Sequence, residues 1–385
     1  MSQIKVGFIG LSSRAKVKWG ANAHLPYFQS SRGKEKFQIV AVQNSTTESA
    51  QQAIKDFGLP PATRAYGNPE DMAADPDVQL VVNVTGVFTH YSSVLPSVNA
   101  GKDLFVEWPL AESTEHIREL ATIASDNNIR TGVGLQGRFA PVFLKVKEVL
   151  ASGRYGRVLS SEVKSAFPHN PRDILPVGWD AFATKKFGVN TYTIGFGHLI
   201  DVMQSILGEV HDIHTHFQIQ RPELKRVDLS TGEVVGTAKT DVPDLVILVG
   251  SLEESAIVRD GATLLVRYRK GVPFKGEPAF IWTINCEGGE LRLISPGGPA
   301  LQLNVYSEPV TIEVHDFATD EINAIEWKWS DYQMEIPEDA RATAAWYEAY
   351  AVGVENEAAT FQVALHRQEQ LEEWLAGYKG QYDLP

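Results

Sequence analysis

A histidine and an aspartate on one predicted helix are the first residues whose types could do chemistry. His198 and Asp201 lie in a helix-periodic apolar stretch at a spacing that places both side chains on one face. Histidine gives or takes a proton near neutral pH, because its ordinary pKa is about 6.5. Such a histidine is more often buried and bonded to its neighbours, so proton transfer is one of two interpretations; Asp201 would orient or cap.

Three further residues near His198 could take part in proton transfer. Tyr192 precedes it on the same predicted helix, and a phenol can protonate an alkoxide, although a core aromatic is the more frequent role. Lys185 and Lys186 lie on the preceding loop and could supply an ammonium group, although a lysine pair is usually solvated. The candidate catalytic residues are therefore His198 and Tyr192.

Residues 6–14 have the pattern of a dinucleotide-binding turn, in which an apolar strand ends at a glycine and passes into small and polar residues. In the full motif three glycines permit a tight turn, close approach to a pyrophosphate, and packing of a helix on the strand. Only Gly10 is kept, because Ser12 and Ala15 occupy the other two places. The predicted dinucleotide contacts in this loop are Gly10, Ser12, Ser13 and Arg14.

The predicted second strand, residues 37–42, is followed by neutral side chains. An acidic residue at this place would hydrogen-bond the adenosine ribose and select for NAD. Amides and hydroxyls can accept either ribose or a 2′-phosphate, and Arg14 could supply the positive charge that a 2′-phosphate requires. The sequence therefore favours NADP at least as much as NAD. The predicted contacts here are Asn44, Ser45 and Thr46.

Polar residues also follow the later predicted strands, where doubly wound sheets bind their ligands. These residues are Thr85, His90, Glu107 and Gln136. Glu107 could line the nicotinamide side of the cleft, although a lone glutamate there is more often a structural hydrogen-bonder. Trp108 could stack on nicotinamide or substrate, or pack between domains. Arg138 could hold a phosphate, carboxylate or sugar hydroxyl, or pair with an interior acid.

The order of the predicted elements divides the chain into two domains. Strands alternate with helices at first, which predicts an α/β Rossmann domain with a parallel sheet over residues 1–137. Residues 138–385 are expected to form an α+β domain with a large, open, mostly antiparallel sheet. Two closing helices, at residues 340–354 and 360–374, are expected to pack back on the body.

The second sheet is predicted from strand-like runs without intervening helices. Gly288 and Gly289 favour a hairpin between the last two runs, and residues 220–240 are the most loop-like. A sheet face left uncovered by helices should pack against a second copy, which predicts a homodimer. The predicted strands cover residues 211–218, 245–252, 255–260, 262–268, 280–286 and 291–294.

Composition narrows the classes of partner. The net charge of −13 and pI near 5.3 argue against a surface that binds nucleic acid directly. Cys286 is the single cysteine, and the ten histidines show no HxxH or HExxH spacing, so no metal site is expected. No secretory leader or membrane-length apolar run is apparent, which predicts a cytoplasmic protein; entry into the nucleus with a partner stays open.

Several motifs together resemble a known family. After the Rossmann pattern come Glu107-Trp-Pro-Leu110 at the end of the fifth predicted strand and Gly197-His-Leu-Ile-Asp201 on a helix. Over nearly the whole chain this resembles the glucose-fructose oxidoreductase, inositol dehydrogenase and rhizopine-catabolism family, in the branch of the yeast galactose-regulon repressor. That branch is indicated by Val6-Gly-Phe-Ile-Gly-Leu11, Phe37-Gln-Ile-Val-Ala41, Val106-Glu-Trp108, Leu135-Gln-Gly-Arg138, Gly195-Phe-Gly-His-Leu-Ile-Asp201 and Val242-Pro-Asp244.

The sequence departs from the family's enzymes at two positions. The resemblance implies Glu-Lys-Pro, with a lysine that bonds the reacting hydroxyl, but that place is Trp108, which has no such proton to give. An aspartate often found four residues before the histidine is replaced by Ile194. Of the usual lysine, aspartate and histidine, His198 alone remains. The yeast repressor shares the tryptophan, binds a nicotinamide dinucleotide and holds an activator protein.

Two functions of different class follow. The first is an NAD(P)-dependent oxidoreductase that acts on a small polar substrate, such as a sugar, polyol or related alcohol or ketone, by hydride transfer. The second is a catalytically silent regulator in which the bound dinucleotide biases an interface with a protein partner. Trp108 and Ile194 favour the regulator. His198 and the absence of long surface insertions favour the enzyme, which is the preferred interpretation.

Overall fold

The computed structural model describes residues 3–15, 17–354 and 357–378. Contacts between residues divide the chain into two compact units. Unit 1 contains Met1–Phe139 and Trp329–Glu369, and unit 2 contains Ala140–Lys328 and Gln370–Pro385. The sequence predicts a boundary after residue 137, and the structure groups a distant C-terminal segment with the first unit.

The α-helices are mostly short and several begin at side-chain caps. Ser30, Thr46, Asn68 and Ser113 each accept a hydrogen bond from the backbone N–H three residues on. Among the described residues, each helix is too short or too polar to cross a membrane. The helices are α1 Leu25–Gln29, α2 Ser31–Lys36, α3 Thr47–Asp56, α4 Pro69–Ala73, α5 His90–Asn99, α6 Thr114–Asp126, α7 Pro141–Ala151, α8 Gly197–Leu207, α9 Asp331–Met334, α10 Glu338–Val352 and α11 Phe361–Ala376.

Unit 1 is built on a six-stranded sheet in which every pair of neighbouring strands is parallel. Its central strands β1 and β4 each contain four consecutive buried residues, as expected for a sheet covered on both faces. The strands are β1 Ile4–Ile9, β2 Phe37–Gln43, β3 Arg64–Tyr66, β4 Leu80–Asn83, β5 Asp103–Val106 and β6 Thr131–Val133, in the order β3-β2-β1-β4-β5-β6. This doubly wound arrangement confirms the predicted Rossmann fold.

A helix from the end of the chain completes the core of unit 1. Helix α10 carries Trp346 and Tyr347, which are both buried beside Phe105 of β5 at ring-centroid distances of 4.7 and 5.8 Å. A Cβ atom on Gly132 of β6 would lie 2.2 Å from the indole of Trp346, so only glycine admits the ring. The segment before α11 also bonds β6, because the Val133 N–H donates to the Ala359 carbonyl at 2.7 Å.

Unit 2 contains an eight-stranded sheet that is antiparallel except where β7 pairs with β13. Buried and more exposed residues alternate along β14 and β15, which is the period of a sheet with two different faces. This mostly antiparallel sheet confirms the predicted fold class. Its strands are β7 Val158–Phe167, β9 Val210–Gln218, β12 Leu245–Leu252, β13 Val258–Lys270, β14 Phe280–Cys286, β15 Gly289–Ser295, β16 Thr311–Asp316 and β17 Glu321–Ala324.

Residues 220–240 are not the loop that the sequence predicts. Two strands, β10 Glu223–Val227 and β11 Val234–Lys239, form an antiparallel pair, and β10 also pairs with β8 Ile174–Pro176. The polar composition concealed them, since only Leu224 and Val227 of β10 are buried and β11 is almost wholly exposed. The two runs predicted at 255–260 and 262–268 are likewise wrong as separate strands, because β13 is continuous.

Gly132→Ala should lower the free energy of unfolding by about 1–3 kcal/mol, because the added methyl group must displace the Trp346 ring from a packed core. Chemical denaturation followed by circular dichroism measures the change. Gly86→Ala is the matched control, since a Cβ atom at Gly86 meets nothing within 4 Å and its φ of −76° suits alanine. Equal losses in the two variants would contradict the tight packing of α10 on β6.

Candidate functional site

The turn after β1 is formed by Gly10. Its φ is +90°, and a Cβ atom would lie 2.4 Å from Cγ2 of Thr85, so both conformation and space require glycine. The Gly10 N–H donates to the Gln43 carbonyl at 2.9 Å, which ties the turn to the end of β2. The ends of β1, β2 and β4 are thereby held together, as the sequence pattern predicts.

A later glycine allows the following helix to approach the sheet. The chain is helical from Trp19, and a π-helical segment, Gly20–His24, precedes α1. A Cβ atom on Gly20 would lie 2.5 Å from Cγ2 of Val84. Close packing of helix on strand, which the third glycine of the usual motif permits, is thus provided by Gly20 after a longer loop.

The loop after Gly10 borders a cleft of about 330 Å³. Ser12, Ser13 and Arg14 form one side, and Thr46 with residues of α3 forms the other. The Ser13 hydroxyl donates to the Asp56 carboxylate, and this hydrogen bond is the main reason why the pKa of Asp56 is lowered. Arg14 is exposed and forms no ion pair with any described residue.

Asn44 and its neighbours have different surroundings. The Asn44 amide is buried and donates to the carbonyls of Leu11 and Ser49 at 2.9 and 3.2 Å, so it fixes the loop and the start of α3. Thr46 caps α3 by accepting the Ser49 N–H. Ser45 is exposed beside them. Asn44 therefore supports the cleft without lining it, whereas Thr46 is one of the lining residues.

The loop after β4 is fixed by buried polar groups. Asn83 accepts the Thr85 N–H and hydroxyl at 2.9 and 2.8 Å. His90 is buried, with one ring nitrogen 3.0 Å from the Thr85 carbonyl and the other 3.0 Å from the Pro109 carbonyl. Both nitrogens thus face backbone oxygens, while burial lowers the pKa of His90. This contact makes His90 a brace between two strand-end loops.

Glu107 is the centre of a hydrogen-bond chain in unit 1. His24 Nε2 lies 2.6 Å from its carboxylate, and the Gln136 amide donates to it at 2.9 Å. The other ring nitrogen of His24 lies 2.7 Å from the Tyr347 hydroxyl. His24 thus lies between the carboxylate and the phenol and contacts each through a different ring nitrogen. Gly134 makes room, since a Cβ atom there would lie 2.3 Å from a Glu107 oxygen.

This environment keeps Glu107 ionised. Burial is the largest single effect and raises its pKa, but the hydrogen bond with His24, the electrostatic attraction of His24 and smaller contributions from Trp19 and Gln136 together outweigh burial and hold the pKa below its ordinary value. The adjacent Trp108 is buried. The end of β5 therefore presents an anchored negative charge followed by a large aromatic ring.

The candidate catalytic residues of the sequence analysis lie in unit 2. His198 is the second residue of α8 and is half-buried, and Asp201 is fully buried on the same helix. Tyr192 is buried in a π-helical segment, Thr191–Phe196, and its hydroxyl donates to the Leu371 carbonyl at 2.7 Å. Burial raises its pKa well above the ordinary value. The structure thus gives the Tyr192 hydroxyl a partner in the core.

The remaining candidates lie at several places. The ammonium of Lys185 lies 5.6 Å from the ring centre of Tyr378, and Lys186 is exposed. Arg138 is half-buried in a short 3₁₀ segment, Gln136–Phe139, of unit 1. Within the described residues, no group of three or more potential metal ligands is present.

Two members of the Glu107 chain are absent from the sequence-based candidates. His24 belongs to none of the predicted motifs, and Tyr347 lies in the predicted closing helix at residues 340–354. They are 323 residues apart, so no local spacing connects them. The sequence indicates this contact only in that each of the two residues is a polar aromatic side chain in a run of mostly apolar or small residues.

Comparisons with known proteins give a consistent result. A family model described as an oxidoreductase family with an NAD-binding Rossmann fold matches residues 4–135, and a model of the Gal80p C-terminal domain matches residues 141–295. Dehydrogenase aclE of Aspergillus oryzae is 30% identical over 328 residues, which cover 83% of this chain and 83% of that protein.

A regulator is similar as well. The galactose/lactose metabolism regulatory protein GAL80 of Kluyveromyces lactis is 29% identical over 272 residues, which cover 66% of this chain and 56% of that protein. The crystal structure of a super-repressor mutant of Gal80p from Saccharomyces cerevisiae superposes with a TM-score of 0.82 at 21% identity, over 97% of this chain and 95% of that chain. This last likeness shows the shared fold.

Glu107→Gln should destabilise unit 1 by about 1–3 kcal/mol at neutral pH, because it weakens the acceptor of a buried hydrogen-bond chain. The folded-state pKa of Glu107 is below its ordinary 4.5, so the stability that its charge contributes is complete above that value and is lost as the pH falls through the folded-state pKa. The free energies of unfolding of wild type and variant should therefore approach each other as the pH falls. Denaturation midpoints at pH 7 and in increasingly acidic buffers measure this. Glu119→Gln, at an exposed hydrogen bond with Tyr91, is the control; a pH-independent difference for Glu107→Gln would contradict the assignment.

Proposed function

Because this chain belongs to the glucose-fructose oxidoreductase, inositol dehydrogenase and rhizopine-catabolism family of oxidoreductases, we propose that it is an NAD(P)-dependent oxidoreductase. Its substrate would be a small polar molecule such as a sugar, a polyol or a related alcohol or ketone. The observation that carries this proposal is the cluster of strand-end features in unit 1, where the Gly10 turn, the Arg14 cleft and the anchored Glu107 follow β1, β2 and β5.

The residues around these strand ends fit a nicotinamide dinucleotide. The Gly10 turn leaves backbone free of a side chain, and the hydroxyls of Ser12 and Ser13 border the cleft together with Arg14. Thr85 and Glu107 would line the site farther along the sheet, with Trp108 as a stacking surface. The dinucleotide, when bound, supplies the group that accepts or gives the hydride.

The surroundings of Arg14 favour NADP at least as much as NAD. The residues after β2 are neutral, so no carboxylate follows the strand to repel a 2′-phosphate. Two acids of α3, Glu48 and Asp56, do line the same cleft, but Asp56 is already engaged by the Ser13 hydroxyl. The guanidinium of Arg14 would then be the group that holds a 2′-phosphate.

His198 is the residue proposed to hold or move the substrate proton. It is half-buried near the start of α8, and a histidine can exchange a proton at neutral pH. We assign Tyr192 to packing, since its hydroxyl is buried and bonded to the Leu371 carbonyl. Trp108 replaces the lysine of related enzymes, so His198 would act without that second proton-handling group.

A specific observation supports a second candidate function. The Gal80p C-terminal domain model matches residues 141–295, and Trp108 removes the lysine that family enzymes use. The chain would then be a dinucleotide-binding regulator whose bound cofactor alters its affinity for a protein partner. Assembly into a homodimer stays a prediction under either function.

Arg14→Ala should weaken NADP binding by at least about tenfold and change NAD binding much less, because the lost guanidinium would pair only with the 2′-phosphate. Isothermal titration calorimetry with both dinucleotides measures the two affinities. Arg118→Ala, an exposed arginine on α6, is the matched control. Equal losses for both dinucleotides would remove the proposed role of Arg14, and no binding of either would refute the proposed function.

His198→Ala should lower turnover by about 10²–10⁴-fold while dinucleotide affinity stays within about twofold, because proton transfer and cofactor binding use different residues. Absorbance of the reduced nicotinamide reports turnover in a screen of sugars and polyols. His211→Ala, an exposed histidine of β9, is the control and should keep full activity.

The replacement Trp108→Lys separates the two functions. It restores the ammonium group of related enzymes and should preserve dinucleotide binding, so any gain of turnover on a simple polyol would support the oxidoreductase. Absence of turnover in both wild type and Trp108→Lys, together with clear dinucleotide binding, would overturn the oxidoreductase in favour of the regulator.

A further inference from the structure

A second cavity lies wholly within unit 2, with a volume of about 250 Å³. One wall is apolar and comes from the β8–β10 pair and the chain that follows β8. Trp179 and Phe182 pack against each other there at a centroid distance of 4.8 Å and an interplanar angle of 32°. Leu175 and Leu224 are buried beside them. The small sheet that the sequence did not predict thus builds a hydrophobic surface that borders an open space.

The opposite side of the cavity is charged. Lys270, the last residue of β13, and Arg221 line it together with the buried Asp244. Asp244 already accepts the backbone N–H groups of Gln220 and Arg221 at 2.6 and 3.2 Å. Its carboxylate lies 4.0 Å from the Arg221 guanidinium, the outer limit of an ion pair. Among the described residues, the Lys270 ammonium has no hydrogen bond or ion pair within 4.0 Å.

The charges that act on Lys270 come from three side chains. Those of Asp244 and Asp173 raise its pKa, and that of Arg221 lowers it. The nearer carboxylate of the cavity wall, Asp244, already accepts two backbone N–H groups and lies beside Arg221. The Lys270 ammonium therefore still has room for an anionic partner.

A half-buried ammonium beside an apolar wall is costly unless an anion accompanies it. Burial lowers the pKa of Lys270, which is the direction expected when the neighbouring acid compensates only in part. A ligand carboxylate would supply the missing partner, and the rest of the ligand would cover the aromatic wall. Cavities that hold drug-sized ligands are typically larger, roughly 300–1,000 Å³, so the ligand here would be small.

We propose that this cavity binds a small organic anion, with a carboxylate held by Lys270 and Arg221 and an aromatic or aliphatic body packed on Trp179 and Phe182. The site goes beyond the proposed oxidoreductase function, because its walls include none of the residues assigned to the dinucleotide and neither His198 nor Tyr192. Aromatic monocarboxylates are the class that combines this size, charge and apolar surface.

Calorimetric titration of the full chain with phenylacetate, in the absence of dinucleotide, tests the proposal. Saturable binding is expected, and 2-phenylethanol, which has a similar body without the charge, should bind at least tenfold more weakly. Both measurements use the wild-type protein, so they remain decisive if a variant fails to fold. Absence of saturable phenylacetate binding at millimolar concentration, or equal binding of the two ligands, would overturn the proposal.

Two lysine variants locate the site. Lys270→Met should weaken phenylacetate binding at least tenfold and leave 2-phenylethanol binding unchanged. Lys239→Met is the matched control, because Lys239 is exposed on the same small sheet, and it should change phenylacetate binding less than twofold. Equal effects of the two substitutions would place the anion elsewhere and overturn the assignment. Arg14→Ala should leave phenylacetate binding intact, which separates this test from that of the proposed function.

Discussion

The carboxylate of Glu107 receives hydrogen bonds from His24 and Gln136, and His24 in turn faces the hydroxyl of Tyr347. Four segments that are far apart in the chain meet at this one acid. A buried carboxylate requires such partners. Without them, it would lose its favourable interactions with water and form no comparable interactions in the apolar core. The ends of β5 and β6, the π-helical turn before α1, and α10 are therefore positioned by a single electrostatic requirement.

The glycines around this acid show how packing serves the same requirement. Gly134 leaves room for the carboxylate, Gly132 for the indole of Trp346, and Gly20 for the approach of the first helix to β4. Each is a place where a side chain would separate two elements that must touch. Unit 2 uses the same device, since Gly195 leaves room for the Tyr268 hydroxyl, which bonds Thr191 at 3.0 Å. Close backbone approach, rather than flexibility, explains these four glycines.

The sequence predicts those structural elements whose formation depends on a pattern of neighbouring residues. In β1 and β4 the apolar runs at residues 6–9 and 80–82 are followed by turn residues, and the parallel order of the strands follows from the intervening helices. The placement of Gly10 beside Thr85 follows from that order. The pairing of β10 with β8 could not be predicted in this way, because its stability comes from Leu224 and Val227 meeting distant residues rather than from its own polar pattern.

The residues of the candidate site also fall into two groups, those that a local sequence motif predicts and those that depend on contacts with distant residues. Arg14 and Thr46 could be found because a known motif places loops at strand ends, and both do line one cleft. His24 could not, since its importance comes from a tyrosine 323 positions away. His90 illustrates the converse, because a polar residue at a strand end is expected to face ligand, whereas both of its ring nitrogens face backbone carbonyls.

The contribution of α10 to unit 1 has a consequence for synthesis on the ribosome. The six strands of the first sheet are all made before unit 2 begins, yet Trp346 and Tyr347, which fill the space beside Phe105, are made only after residues 140–328 of unit 2. Until then the nascent sheet exposes apolar surface around β5 and β6, and His24 and Glu107 lack their tyrosine. The nascent chain therefore presents an incomplete first unit, which is a surface that chaperones recognise, until α10 has left the exit tunnel.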